Sequence, residues 1–189
     1  MICDVYDNIL AEHDALAIND NMQSIMWKYN HASDPKQLNR HWHFLCGHDV
    51  AQCELNKVKW VHDLFVHFKE KINFKEKYNI DTYKRIYCNA HTYGVEPHVH
   101  TDDGDFTMIY YPLIDWIPEW LGGTSIWNEE RTEIEKYVNY KGNRLMVFDA
   151  WRPHQAMPVS RQCYKLRSVI VFKTFIERAN RERLDFYKN

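Results

Sequence analysis

The chain has 189 residues, of which 45% are hydrophobic and 26% charged, with a formal net charge of -2. That length suits one domain, and the apolar content is enough for a real core, which excludes a disordered chain. The near-neutral charge and the lack of any basic block leave no electrostatic footprint for nucleic acid, and no apolar run approaches the roughly 20 residues of a membrane span.

The five cysteines, Cys3, Cys46, Cys53, Cys88 and Cys163, are odd in number and form no CxxC pair. A disulfide framework is therefore not expected, and a reducing compartment, the cytoplasm, is. The first ten residues carry Asp4 and Asp7 and lack a basic or an apolar region, so they do not read as a signal peptide.

From Asp7 to Tyr29 the spacing of Ile9, Leu10, Leu16, Ile18, Met22, Ile25 and Met26 predicts helix. A strand-like stretch follows at His41 to Cys46. Cys53 to Tyr78 then carries an apolar helical stripe of Leu55, Val58, Val61, Leu64, Phe65, Phe68 and Ile72. Residues 1–80 thus read as a helical N-terminal flank of a single domain.

After Asp81 short runs rich in Val, Ile, Tyr, Phe and Thr alternate with turn residues. The expected strands are Tyr83–Tyr93, Glu96–Asp102, Phe106–Pro112, Thr124–Asn128, Tyr137–Tyr140, Arg144–Phe148, His154–Pro158 and Leu166–Phe175. So many short strands, with no helix required between them, predict a mainly β, antiparallel jelly roll over residues 81–176. A last helix is expected within 177–189.

His100 and Asp102 carry the chemistry. In a strand, residues i and i+2 face the same side, so an imidazole and a carboxylate can meet one metal. His154, just past the apolar run Leu145–Phe148, is the candidate third ligand. Two histidines and one carboxylate leave coordination positions open, as non-haem Fe(II) oxygenases require. His98 shares the parity of His100 and offers a shifted ligand pair, while Asp103 has the wrong parity to replace Asp102. Arg167, at the start of Arg167–Phe172, offers a guanidinium fork for a carboxylate. His41, His43, Cys46, His48 and Cys53 fit no common structural zinc spacing. Leu113 to Leu121, with Trp116 and Trp120, either folds over the core or forms a lid.

The ordered set His100-x-Asp102, Tyr110-Tyr111, Gly122-Gly123, His154 with Pro158-Val159 after it, and Arg167-Ser168 resembles the 2-oxoglutarate/Fe(II) oxygenases, prolyl-4-hydroxylase-like branch. The resemblance spans about half the chain, from Arg85 to Phe175. It implies a double-stranded β-helix core and an enzyme that uses Fe(II), 2-oxoglutarate and O2 to hydroxylate a C–H bond with release of succinate and CO2. It further implies His100, Asp102 and His154 as metal ligands and Arg167 and Tyr111 on the 2-oxoglutarate carboxylate. Thr107, on the same strand face as Tyr111, and Tyr87 and Asn89, on the polar face of their strand, are the other candidate cofactor contacts.

The substrate, a small molecule or a protein side chain such as a prolyl residue, is not encoded in any motif. The competing readings are a cupin-type metal dioxygenase or isomerase that uses no 2-oxoglutarate, and a non-catalytic jelly-roll binding module. Cupins usually place a Glu soon after a His-x-His pair, whereas Asp102, Asp103, Gly104 and Asp105 stand here.

Overall fold

The structure is a computed structural model that describes residues 2–32 and 38–176, so the helix expected within 177–189 lies outside the described residues. Its elements, in chain order, are β1 (Cys3–Asp7), α1 (Glu12–Asn21), β2 (Lys28–His31), β3 (His41–Gly47), α2 (Val50–Leu55), α3 (Lys59–Lys71), α4 (Phe74–Tyr78), β4 (Ile80–His91), β5 (Phe106–Tyr111), β6 (Thr124–Trp127), β7 (Ile134–Val138), β8 (Arg144–Asp149), β9 (His154–Ala156) and β10 (Arg167–Ile176). The strands form two antiparallel sheets, a larger one ordered β1-β8-β5-β10-β4-β3-β2 and a smaller one ordered β7-β6-β9. This is the jelly roll that the strand pattern predicts. No helix among the described residues is long and apolar enough to cross a membrane.

Period-two alternation on the large sheet divides the interior into two layers. Met108, Tyr110, Leu145, Val147, Ile170 and Phe172 point one way and join the side chains of α3. Phe65 and Phe68 of α3 place their rings 5.9 and 6.0 Å from that of Phe172, each such burial contributing about 1.5–3 kcal/mol. Ile109, Tyr111, Met146, Phe148, Val169 and Val171 point the other way, toward the smaller sheet. The helices therefore back the sheet on one face and leave the other for a pocket.

The first 80 residues hold strands as well as helices. β1 adds to the edge of the large sheet against β8, and β3 and β2 extend the opposite edge from β4. The single helical stripe expected over Cys53–Tyr78 is three helices, with breaks at Lys57 and Asn73, where φ is 58° and 53°. The periodicity continues because all three pieces pack on the same sheet face. Glu96–Asp102 forms no ladder strand: Pro97 has no N–H to donate, and only His100 bridges to His154. Leu113, Trp116 and Trp120 are buried, so that segment folds over the core; Trp116 stacks on Tyr140 at 4.3 Å between ring centroids.

Candidate metal centre

His100 and His154 are held opposite one another by paired backbone bonds, His100 N–H to the His154 carbonyl at 3.0 Å and the reverse at 2.8 Å. The Asp102 N–H donates to the Ala150 carbonyl at 2.8 Å. Extended pairing at these points keeps His100 and Asp102 on one face although no full strand forms, and β9 brings His154 to them from 54 residues along the chain.

Each imidazole has its tautomer fixed from behind. His100 Nδ1 donates to the His98 carbonyl at 2.9 Å and His154 Nδ1 to the Arg152 carbonyl at 2.8 Å. Burial, with His154 beside it, lowers His100 to about 3, and burial lowers His154 to about 4. Both rings are neutral near pH 7, with unprotonated Nε2 atoms turned inward.

Those Nε2 atoms stand 3.7 Å from Asp102 Oδ1 and 3.1 Å from Asp102 Oδ2. A nitrogen lone pair facing a carboxylate oxygen, with no proton between them, is unfavourable unless a cation lies there. Two ligands at right angles, each about 2.1 Å from a metal, are about 3 Å apart. The ligand atoms of His100, Asp102 and His154 all lie within 4.8 Å of one another, the only such group of three or more among the described residues. The donor set therefore suits a divalent ion with an open coordination face. His98 is exposed and contributes its carbonyl only, and Asp103 points outward to Lys84 and Arg85. Cys46 and Cys53 are buried in the core away from this group.

A pocket adjoins the three residues. Its walls include Ile109, Ala156, Val169 and Val171, and Arg167 and Thr124 also line it. Arg167 is 1% exposed. Its Nε donates to the Gly122 carbonyl at 2.5 Å, Nη2 approaches the Gly123 carbonyl at 3.4 Å, and the guanidinium lies 5.7 Å from the centre of the Tyr140 ring. No carboxylate pairs with it among the described residues, and burial lowers its pKa from the ordinary arginine value. A desolvated cation without an anion is costly, so the pocket has the electrostatics of a receptor for one.

Gly122 and Gly123 allow this approach. A Cβ on Gly122, at φ 75°, would come 2.8 Å from Val159 Cγ1 and 3.4 Å from Arg167 Cδ, and one on Gly123 would lie 2.3 Å from the Val138 carbonyl oxygen.

The remaining expected residues fall into two groups. Tyr87 and Asn89 line both the pocket and a more open polar cavity of about 490 Å³ at its mouth, with His31, His43, His48, Arg85 and Thr101. Asn89 Oδ1 accepts from His43 Nδ1 at 2.7 Å. Thr107 also lines the pocket, and Tyr111 lies behind it. The Thr107 hydroxyl donates to Asp102 Oδ2 at 2.7 Å, and the Tyr111 hydroxyl donates to Thr124 Oγ1 at 2.7 Å, so Thr124 is the group presented to the pocket.

Two pocket residues, Thr124 and His41, and Lys173 beside Asp102 escape a reading of the sequence. Thr124 is placed by pairing with Val138 and Ala156, and His41 by pairing with His31. Lys173 carried a usable signal, a charged residue on the inward parity of Arg167, Val169 and Val171. Its ammonium meets Asp102 Oδ2 and lies 3.1 Å from Thr107 Oγ1. Burial, reinforced by Arg85, pushes Lys173 well below the ordinary ammonium range, and the adjoining Asp102 carboxylate opposes that shift.

No protein-family model matches the chain, and no curated protein sequence does. Solved structures do. A prolyl hydroxylase from Trichoplax adhaerens, in complex with a peptide fragment of the hypoxia inducible factor oxygen degradation domain, superposes with a TM-score of 0.66 at 18% identity, covering 96% of this chain and 86% of that one. A prolyl-4-hydroxylase from Pseudomonas putida gives 0.59 at 12% identity, with 91% and 92% covered. HygX from Streptomyces hygroscopicus, solved with nickel and 2-oxoglutarate, gives 0.62 at 7% identity, with 90% and 81% covered. The chain has the fold of the 2-oxoglutarate/Fe(II) oxygenases, in its prolyl-4-hydroxylase-like form.

Proposed function

We propose that this protein is an Fe(II)- and 2-oxoglutarate-dependent oxygenase that hydroxylates a C–H bond of its substrate with release of succinate and CO2. The observation that carries this reading is the buried Arg167 guanidinium without a carboxylate partner, in the same pocket as the His100, Asp102 and His154 group. A dicarboxylate whose keto-acid end reaches the metal and whose other end reaches Arg167 satisfies both. A cupin-type site that uses no keto acid leaves Arg167 unexplained.

In this reading His100 and His154 supply neutral nitrogen ligands and Asp102 a carboxylate, with Nε2 orientation set by the His98 and Arg152 carbonyls. Arg167 grips the far carboxylate of 2-oxoglutarate with two parallel bonds. Thr124, oriented by the Tyr111 hydroxyl, adds a polar contact. Ile109, Val169 and Val171 exclude water along the cosubstrate's methylenes. Iron and 2-oxoglutarate together supply the oxidising power. The substrate enters from the polar mouth lined by His31, His43, Tyr87 and Asn89, and similarity to prolyl hydroxylases supports a prolyl or similar side chain as the group oxidised.

The test is anaerobic addition of Fe(II) and 2-oxoglutarate to the metal-free protein. A weak visible charge-transfer band is expected in the wild type and absent in His154→Ala, and admission of oxygen should release succinate even without substrate. Iron bound with no such band would sink the 2-oxoglutarate reading.

A further inference from the structure

Lys173 is the only described lysine that is fully buried, at 0% exposure. It lies in mid-strand on β10, opposite Arg85 of β4 and Thr107 of β5. Its inward neighbours are Val169 and Val171, so a methionine would fill the position at lower desolvation cost; packing alone does not call for a charge there. Its Nζ contacts Asp102 Oδ2 and stands 3.1 Å from Thr107 Oγ1, while Thr107 donates to the same Asp102 oxygen at 2.7 Å. Oδ2 therefore has two donors. Oδ1 accepts no hydrogen bond from the described residues and stands 3.7 Å from His100 Nε2.

We infer that Lys173, with Thr107, is a positioning residue for the carboxylate ligand: the two donors pin the Oδ2 side of Asp102, stop it turning about its Cβ–Cγ bond, and make it meet the metal through a single oxygen. This rests on the proposed metal centre and adds to it a requirement that the coordination face stay open for two further ligands. The role does not depend on the protonation state of Lys173, since amine and ammonium both donate.

The experiment is Co(II) and Mn(II) binding by calorimetry, without 2-oxoglutarate, together with the visible spectrum of the Co(II) form. Lys173→Met should weaken binding about 10–100-fold, the usual effect of losing a group that orients a metal ligand. It should also shift the Co(II) spectrum as Asp102 turns to chelate through both oxygens. Lys173→Gln, which keeps a donor without a charge, should hold affinity within a few-fold and retain the wild-type spectrum. Thr107→Val should weaken binding by less than Lys173→Met and shift the spectrum the same way.

Equal or tighter binding in Lys173→Met with an unchanged spectrum would overturn the inference, making Lys173 a counter-ion that the metal displaces. Equal losses in Lys173→Met and Lys173→Gln would also overturn it, in favour of charge alone. If Lys173→Met does not fold, Thr107→Val and Lys173→Gln decide, and a wild-type Thr107→Val profile counts against it. Failure of the wild type to bind either metal would instead sink the metal centre itself.

Discussion

Replacing Arg167 with methionine separates a ligand-binding arginine from a structural one. In the absence of a ligand the side chain makes one short bond, to the Gly122 carbonyl at 2.5 Å, and one marginal one, to Gly123 at 3.4 Å. Losing them costs about 1–3 kcal/mol. Removing a desolvated cation that has no anion offsets much of this, and methionine fills most of the volume. The unliganded protein should therefore change in stability by no more than about 1.5 kcal/mol in chemical denaturation. Binding should suffer far more. Truncating one partner of a buried, hydrogen-bonded charge pair costs about 2–5 kcal/mol, which at about 1.4 kcal/mol per tenfold is about a 30- to 4,000-fold weaker dissociation constant. Calorimetric titration of 2-oxoglutarate into the Mn(II)-loaded protein measures this without turnover. A variant that binds 2-oxoglutarate within threefold of wild type while losing more than about 3 kcal/mol of stability would refute the reasoning and make Arg167 part of the scaffold.

His41 offers a pH-dependent test. It is buried, its Nε2 has no hydrogen-bond partner, and burial, helped by His31 and His43, lowers it to about 4 from the ordinary 6.5. The unfolded chain takes up the proton first, so stability is fully present above pH 6.5 and lost as pH falls toward 4, by at most about 3 kcal/mol. His41→Phe should gain about 1 kcal/mol at pH 7 and lose less than wild type between pH 6.5 and 4.5; denaturation curves at both ends of that window check it. Gly123→Ala places a methyl 2.3 Å from the Val138 carbonyl oxygen and 2.7 Å from the Tyr137 ring. It must part β6 from β7, so a loss of about 1–3 kcal/mol is expected in thermal unfolding, with weaker 2-oxoglutarate binding because the Gly123 carbonyl lies beside Arg167.

Much of the candidate site is readable along the chain because its geometry is local. His100 and Asp102 share a face through simple i, i+2 parity, and the same parity puts Tyr87 and Asn89 on the pocket wall of β4. Arg167 opens an apolar strand, and Gly122-Gly123 marks a close approach that no side chain could make. Alternation after Asp81 foretells the strands, and the stripe from Cys53 to Tyr78 foretells a helical layer, since both periods follow from the covalent geometry of regular backbone.

The tertiary structure decided whatever depends on pairing between distant segments. β1 pairs with β8 across more than 130 residues, so its strand character comes from a neighbour rather than from its own pattern. The same holds for Thr107, which lines the pocket while its hydroxyl bonds to Asp102, and for Tyr111, which reaches the pocket through Thr124. Lys173 and Asp102 are 71 positions apart, and only the register of β10 against β5 turns an inward lysine into a partner of the Asp102 carboxylate. Periodicity is a property of each strand alone; register is set by the packing of all of them together, because a slip of one residue would exchange the pocket face for the core face.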